Sequence, residues 1–121
     1  MNKIIIGSDH AGFELKEKIK TYLKEQNYNI EDMGTHSPES ADYPIYGKKV
    51  AQKVSKNNST GILICGSGIG MCMTANKIKG IRAALCYDEE TARIAREHNN
   101  ANILCLGART SSAKNYKKIV K

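Results

Sequence analysis

Cys65 and the glycine-rich loop that follows it are the residues of this sequence best suited to chemistry. The loop reads Gly66-Ser67-Gly68-Ile69-Gly70 and joins an apolar run to a segment with helical spacing. Glycines let a backbone approach a ligand closely, and consecutive N–H groups ahead of a helix favour an anion. A thiol at such a place ionises more readily than a free one and can act as base or nucleophile. Ser67 can hydrogen-bond that thiolate or cap the helix.

The loop alone is weak evidence, because glycine-rich turns between a strand and a helix often serve packing only. It is not a Walker loop, since no Gly-Lys-Ser or Gly-Lys-Thr follows, and its spacing does not fit a dinucleotide fingerprint. The other cysteines, Cys72, Cys86 and Cys105, lie in apolar segments, where we expect small buried core residues. Without a CxxC pair or a zinc-like spacing, we expect reduced thiols and no metal.

A second reactive cluster, Ser8-Asp9-His10, follows the first apolar run. Asp9 can move a proton or cap the first helix, and His10 can bind an anion or exchange a proton. Tyr43, ahead of Pro44, either reaches over a pocket or packs into the core.

Short β-branched runs alternate with helical segments, which predicts βαβ units. We expect strands near residues 3–8, 28–32, 61–65, 81–86 and 101–107. Helices are predicted near residues 11–26, around Val50, at 68–78, at 88–98 with Asp88 as N-cap, and from 111. The fold class is therefore α/β: a three-layer, doubly wound, Rossmann- or flavodoxin-like five-stranded parallel sheet in the order 2-1-3-4-5. In that order strands one and three are neighbours at the switch point, so the two reactive clusters meet.

The bulk properties indicate one domain of 121 residues without a leader or a membrane span, expected to be cytoplasmic. The formal charge of +7 comes mainly from lysines scattered along the helices. With little aromatic interleaving, they indicate a solvated face and not a nucleic-acid site.

An ordered set of motifs spans nearly the whole chain, at residues 7–16, 42–44, 64–71, 75–77, 80–84, 98–102 and 106–109. Together these residues resemble the family of ribose-5-phosphate isomerase B and galactose-6-phosphate isomerase. The resemblance implies an aldose–ketose isomerisation through an enediolate, without metal, cofactor or nucleotide. The implied reaction interconverts ribose 5-phosphate and ribulose 5-phosphate in the pentose phosphate pathway.

The resemblance also assigns catalytic roles. Cys65 is the implied base between C1 and C2, assisted by Ser67. Asp9 is expected to handle the proton between the two oxygens, and His98 to help open the sugar ring. The implied substrate-binding groups are His10 and Arg109 for the phosphate, Tyr43 and Asn99 for the sugar, and the amides of Gly66, Gly68, Ile69 and Gly70 for the enediolate.

Topology adds an expectation about assembly. His98 precedes strand five and belongs at the amino edge of the sheet, whereas Cys65 ends strand three at the carboxyl edge. A strand of five or six residues spans about 17 to 20 Å, so His98 is expected to come from a second subunit. We therefore predict a homodimer, or a dimer of such dimers, with composite sites. The family's C-terminal extension and its phosphate-binding arginines are expected to be absent.

Three other functions stay open. The same residues could isomerise a six-carbon substrate, allose 6-phosphate or galactose 6-phosphate, and residues 34–46 would decide that. A non-catalytic module that binds a phosphorylated ligand is the second alternative. Nucleic-acid binding through the lysine face is the third, and its affinity would fall steeply with salt.

Overall fold

The computed structural model describes residues 3–36, 39, 43–110 and 112–120, with backbone alone for residues 43 and 112–115. The strands are β1 (Lys3–Ser8), β2 (Asn29–Asp32), β3 (Thr60–Cys65), β4 (Ala83–Leu85) and β5 (Ile103–Gly107). The helices are α1 (Phe13–Glu25), α2 (Tyr43–Asn57), α3 (Ile69–Ala75), α4 (Glu89–Asn99) and α5 (Ser112–Val120). None of the described helices is long and apolar enough to cross a membrane.

The five strands form one parallel sheet in the order β2-β1-β3-β5-β4. The central strands β1, β3 and β5 are buried almost throughout, as expected where helices cover both faces of a sheet. Their carboxyl ends are level, because Ser8 pairs with Ile64 and Cys65 pairs with Gly107. The predicted fold class, a doubly wound α/β sheet, is confirmed.

The predicted strand order, 2-1-3-4-5, needs one correction, since β5 lies between β3 and β4. β5 is a five-residue run, Ile-Leu-Cys-Leu-Gly, almost wholly buried, whereas β4 has three residues that are all partly exposed. The longer and more apolar strand therefore takes the position that is paired on both sides. Because the β4–α4–β5 connection then turns back towards the middle of the sheet, a right-handed crossover places α4 on the same face as α1 and α5.

Two apolar cores lie on the two faces of the sheet. Helices α2 and α3 cover one face, around Val50, Val54 and Met71. Helices α1, α4 and α5 cover the other, around Ile19, Leu23 and Ile119. The predicted three layers are thus present, although α4 buries no residue fully.

Helix α4 begins as predicted. The Asp88 carboxylate accepts a hydrogen bond from the Thr91 N–H at 2.8 Å, and the Thr91 side chain accepts from the Asp88 N–H. These two bonds satisfy backbone donors that a helix start otherwise leaves open. The Asp88 carboxyl has its pKa lowered by the Thr91 N–H.

Candidate active site

The carboxyl ends of β1 and β3 bring the two reactive clusters together. The Asp9 N–H donates to the Ile64 carbonyl at 3.2 Å, one residue before Cys65. Gly12 lies against the same carbonyl, where an added Cβ would be only 2.6 Å from the oxygen. A larger residue at position 12 would push the Asp9 turn away from β3. The prediction that Asp9 and Cys65 share one sheet edge is therefore confirmed.

Cys65 is nearly buried, with 5% of its surface exposed, and its sulfur accepts a hydrogen bond from the Gly68 N–H at 3.2 Å. That donor is placed to stabilise negative charge on the sulfur. Gly68 has a φ of 85°, and a Cβ there would lie 2.4 Å from Leu85 Cδ1. Only glycine meets both conditions, so the loop geometry around Cys65 depends on it.

The Ser67 side chain hydrogen-bonds the backbone of its own loop. Its Oγ accepts a hydrogen bond from the Ile69 N–H at 3.1 Å. Its carbonyl accepts one from the Tyr87 hydroxyl at 3.3 Å. The N-cap of α3 is Gly68, without a side-chain cap, so Ser67 fixes the shape of the loop but is not the N-cap of the helix.

Asp9 is held rigidly beside the loop. Its carboxylate oxygen Oδ1 accepts from the Gly12 N–H at 3.1 Å, and 7% of the residue is exposed. The N-cap of α1 is Gly12, which has no side-chain cap. The Oδ1 atom therefore stabilises the turn before the helix. The same bond fixes the orientation of the carboxylate, including that of its other oxygen, Oδ2.

A turn after β2 supports the end of β1. The Gly34 carbonyl accepts from the Ser8 N–H at 2.7 Å, and the Thr35 N–H donates to the Ser8 carbonyl at 2.8 Å. The turn is held in place by Asp32, which accepts from the Gly34 N–H at 2.9 Å. Burial raises the pKa of Asp32, but hydrogen bonds from Lys16, Lys20 and Gly34 outweigh it and hold that pKa below its ordinary value.

His10 follows β1 and Arg109 follows β5, the two strands on either side of β3. The Arg109 N–H donates to the Gly66 carbonyl at 2.9 Å, and the Arg109 side chain runs over Gly66, within 3.5 Å of where a Cβ would stand. Arg109 is exposed and His10 is partly exposed. Ala11, the residue after His10, is the other neighbour of Gly66, so the turn that carries His10 lies against the same loop as Arg109.

His98 and Asn99 lie at the opposite edge of the sheet. The Asn99 carbonyl accepts from the guanidinium of Arg82, the residue before β4, at 2.7 Å. His98 and Asn99 are both exposed at the end of α4. β5 runs from that edge to Gly107, the pairing partner of Cys65. Within one chain the structure therefore does not bring His98 to Cys65, as the topology predicted.

The predictions for Tyr43 and Cys72 have different outcomes. The side chain of Tyr43 lies outside the described residues. Cys72, predicted to be a buried apolar residue, is only half-buried and has polar partners. Among the described residues, no group of three or more His, Cys, Asp or Glu side chains is arranged to hold a metal ion.

Two neighbours of the site were not predicted. Tyr87 lies two residues after the end of β4, so the rule that ligands gather at carboxyl strand ends could have found it. Gly107 lies under the loop, where a Cβ would be 2.5 Å from the Ser67 carbonyl oxygen. Its role depends on a close approach between two separate elements, for which the sequence carries no signal.

The comparisons with known proteins agree with this geometry. The family model described as ribose/galactose isomerase matches residues 4–121. Ribose-5-phosphate isomerase B of Escherichia coli K12 is 43% identical over 121 residues, which cover 99% of this chain and 81% of the relative. The Clostridium thermocellum ribose-5-phosphate isomerase B structure superposes with a TM-score of 0.94 at 50% identity, covering 98% of this chain and 80% of that one. The Mycoplasma genitalium enzyme with bound ribulose 5-phosphate gives a TM-score of 0.94 at 47% identity, with the same two coverages, 98% and 80%.

Proposed function

Because this chain belongs to the ribose/galactose isomerase family, we propose that it interconverts ribose 5-phosphate and ribulose 5-phosphate. It is an aldose–ketose isomerase, and the reaction is a step of the pentose phosphate pathway. The observation that carries the proposal is the junction of Cys65 and Asp9 across β1 and β3, in a fold shared with a relative that binds ribulose 5-phosphate.

The chemistry requires one proton to move between two carbons and another between two oxygens. We assign the first transfer to Cys65, which takes the proton from C2 of the open-chain aldose and returns it to C1. Asp9 carries the second proton from the C2 hydroxyl to the C1 oxygen. A positioned acid or base of this kind contributes about 10²- to 10⁴-fold in rate.

The enediolate formed between these steps is anionic, and the loop at residues 66–70 supplies backbone N–H groups beside it. The Gly68 N–H donates to the Cys65 sulfur at 3.2 Å, which fixes the position of the sulfur in the loop. Hydrogen-bond donors fixed in advance at developing charge commonly contribute more to catalysis than any other effect. Ser67 contributes indirectly, because its bond to Ile69 holds the loop in shape.

Phosphate binding is assigned to Arg109 and His10. The Arg109 side chain lies over Gly66, and His10 precedes Ala11, which lies against Gly66. Arg109 offers a planar, permanently charged group that suits phosphate oxygens. Tyr43 and Asn99 stay assigned to the sugar hydroxyls. The substrate then extends from the loop, at C1 and C2, towards Arg109 and His10, at the C5 phosphate.

A second copy of the chain is proposed to complete the site. β5 alone spans about 13 to 17 Å at roughly 3.3 Å per residue, so the chain's own His98 is far beyond hydrogen-bond reach of Cys65. His98 and Asn99 are exposed at the end of α4, where a neighbouring subunit can receive them. The proposed assembly is a homodimer in which His98 of each chain assists ring opening in the site of the other. Four free cysteines fit a reducing compartment, and we propose the cytoplasm.

Mixed dimers test this arrangement. Chains carrying Cys65→Ala and chains carrying His98→Ala are each expected to be nearly inactive. After random exchange half of the dimers are mixed, and each has one intact composite site, so about a quarter of the wild-type activity should return. If mixing restores no activity, the composite site is refuted.

The function itself is tested by measuring turnover of ribose 5-phosphate, allose 6-phosphate and galactose 6-phosphate. Ribose 5-phosphate is expected to be the best substrate, and Cys65→Ala should lower its kcat by about 10²- to 10⁴-fold. Cys86→Ala is the matched control, because Cys86 is equally buried but belongs to the core on the other face. Equal rates for Cys65→Ala and the wild type would refute the role of Cys65 as the base. Faster turnover of allose 6-phosphate or galactose 6-phosphate would show that the preferred substrate has six carbons.

A further inference from the structure

Asp32, the last residue of β2, joins helix α1 to the turn that follows β2. Its Oδ2 atom accepts hydrogen bonds from the ammonium groups of Lys16 and Lys20, both on α1. Its Oδ1 atom accepts from the Gly34 N–H at 2.9 Å. The two ammonium groups therefore hold the carboxylate in the orientation that directs Oδ1 at the turn of residues 33–35, here called the 33–35 turn.

The 33–35 turn holds the last residue of β1 where the pairing between β1 and β2 has already ended. The Ser8 N–H donates to the Gly34 carbonyl at 2.7 Å, and the Ser8 carbonyl accepts from the Thr35 N–H at 2.8 Å. The Ser8 hydroxyl is buried and has no hydrogen-bond partner among the described residues. The hydrogen bonds that fix Ser8 on this side of β1 are thus the two backbone bonds to the 33–35 turn.

Asp9 follows Ser8 directly, so its position depends on where β1 ends. Its N–H donates to the Ile64 carbonyl at 3.2 Å, and its Oδ1 atom accepts from the Gly12 N–H at 3.1 Å. These two bonds hold Asp9 towards β3 and towards the start of α1. On the side of β2, the hydrogen bonds that hold this segment run through Ser8 and the 33–35 turn.

We propose that Asp32 is a positioning residue for the proton transfer that Asp9 carries out between the C1 and C2 oxygens of the substrate. The inference rests on the proposed isomerase function. The action of Asp32 is indirect, because it fixes the 33–35 turn, which fixes Ser8 and so the place of the Asp9 carboxylate. Misplacement of a reacting group by about 1 Å can lower a rate about 100-fold, so a loosened turn should slow this transfer.

Two double variants isolate the bond between Asp32 and Gly34. Lys16→Met/Asp32→Ala, the alanine double variant, removes the acceptor for the Gly34 N–H. Lys16→Met/Asp32→Asn, the asparagine double variant, keeps a side-chain oxygen that can accept from it. Both lack the buried Lys16 ammonium, so neither leaves that charge without its Asp32 partner. Lys20 is partly exposed and keeps Glu17 as a partner at 3.3 Å in both.

The first readout follows ribulose 5-phosphate in deuterium oxide. Once Cys65 has taken the C1 proton, the enediolate persists until Asp9 moves a proton from the C1 oxygen to the C2 oxygen. A slower transfer gives solvent deuterium more time to enter at C1 before the ketose forms again. The measured quantity is the ratio of deuterium uptake into recovered ribulose 5-phosphate to isomerisation.

The alanine double variant should show a kcat about 10- to 100-fold lower than that of the wild type, together with a higher ratio of uptake to isomerisation. The asparagine double variant should stay close to the wild type in both. A merely structural role, which lowers the folded fraction, would reduce uptake and isomerisation together and leave the ratio unchanged. Equal ratios in the two double variants would refute the positioning role.

The second readout is independent of turnover. Amide hydrogen exchange followed by NMR should be faster at Ser8 and Thr35 in the alanine double variant than in the asparagine double variant, while the amides of β5 exchange alike in both. Equal protection of Ser8 and Thr35 in the two variants would refute the link through the 33–35 turn. Absence of turnover by the wild type would refute the proposed function, and amide exchange would still decide whether Asp32 holds the turn beside Asp9.

Discussion

The Asp32–Lys16 pair is predicted to be one of the ion pairs near the site that cost most stability when one partner is removed. The Lys16 side chain is fully buried, and that of Asp32 is 11% exposed. Asp32 also accepts from Lys20 at 2.8 Å and from the Gly34 N–H. In Asp32→Asn, the buried Lys16 ammonium keeps as its carboxylate partner only Glu17, whose side chain is 45% exposed. Removing one partner of a buried pair costs about 3 to 5 kcal/mol.

A matched control lies on the same strand. Glu31 pairs with Lys3 at 2.8 Å and with Lys53 at 2.9 Å, but all three side chains are substantially exposed. Exposed pairs contribute about 0.2 to 1 kcal/mol, so Glu31→Gln should barely change the free energy of unfolding. Urea denaturation measures both variants, and Asp32→Asn should shift the midpoint by about 2 M for a slope of about 2 kcal/mol per molar.

The pH dependence has a defined sign. The pKa of Asp32 is lowered in the folded protein, so its contribution is present above the unfolded value, about pH 4, and is lost as the pH falls through the folded value. The difference between the wild type and Asp32→Asn should therefore shrink in acid. The double variant Lys16→Met/Asp32→Asn should recover most of the loss, because it removes the buried ammonium whose remaining carboxylate partner, Glu17, is 45% exposed. Similar losses for Asp32→Asn and Glu31→Gln, or no recovery in the double variant, would refute the reasoning.

Three other variants test separate contacts. Gly107→Ala places a Cβ 2.5 Å from the Ser67 carbonyl oxygen, so we expect kcat to fall at least about tenfold with the fold retained, and an unchanged kcat would contradict this close approach. Tyr87→Phe removes a 3.3 Å bond to Ser67, and steady-state kinetics should show about a two- to tenfold lower kcat; no change would mean that the loop holds its shape without it. Asp88→Ala should lower the thermal unfolding midpoint at neutral pH. Because the pKa of Asp88 is lowered in the folded protein, the difference in midpoint between the variant and the wild type should vanish in acid below that pKa. A difference that persists there would contradict the capping explanation.

The meeting of Asp9 and Cys65 could be predicted because it depends on one rule. Parallel strands that are neighbours end at the same edge, and apolar runs with helical segments between them identify those strands. His98 could be placed at the opposite edge for the same reason. These conclusions require only the direction of each strand and the identity of its neighbours in the sheet, and they do not depend on any side-chain contact.

The order of the last two strands could not be predicted in the same way. β4 and β5 both read as apolar runs, and their positions are decided by how much of each strand is buried once the helices are packed. The contact of Cys72 with β4 was also hidden, because the Ala83 carbonyl that accepts from its thiol comes from a separate element. A local sequence pattern cannot report such a convergence.

The contact of Asn76 with β4 also bears on association between molecules at high protein concentration. β4 is an edge strand, and its outward N–H and C=O groups are the kind that pair with strands of other molecules. The Asn76 side chain meets both groups of Ala83, accepting at 2.8 Å and donating at 3.0 Å, as the peptide of a sixth strand would. One side-chain amide thus occupies the outward backbone groups of Ala83, which leaves fewer groups on this edge free to pair with a strand of another molecule.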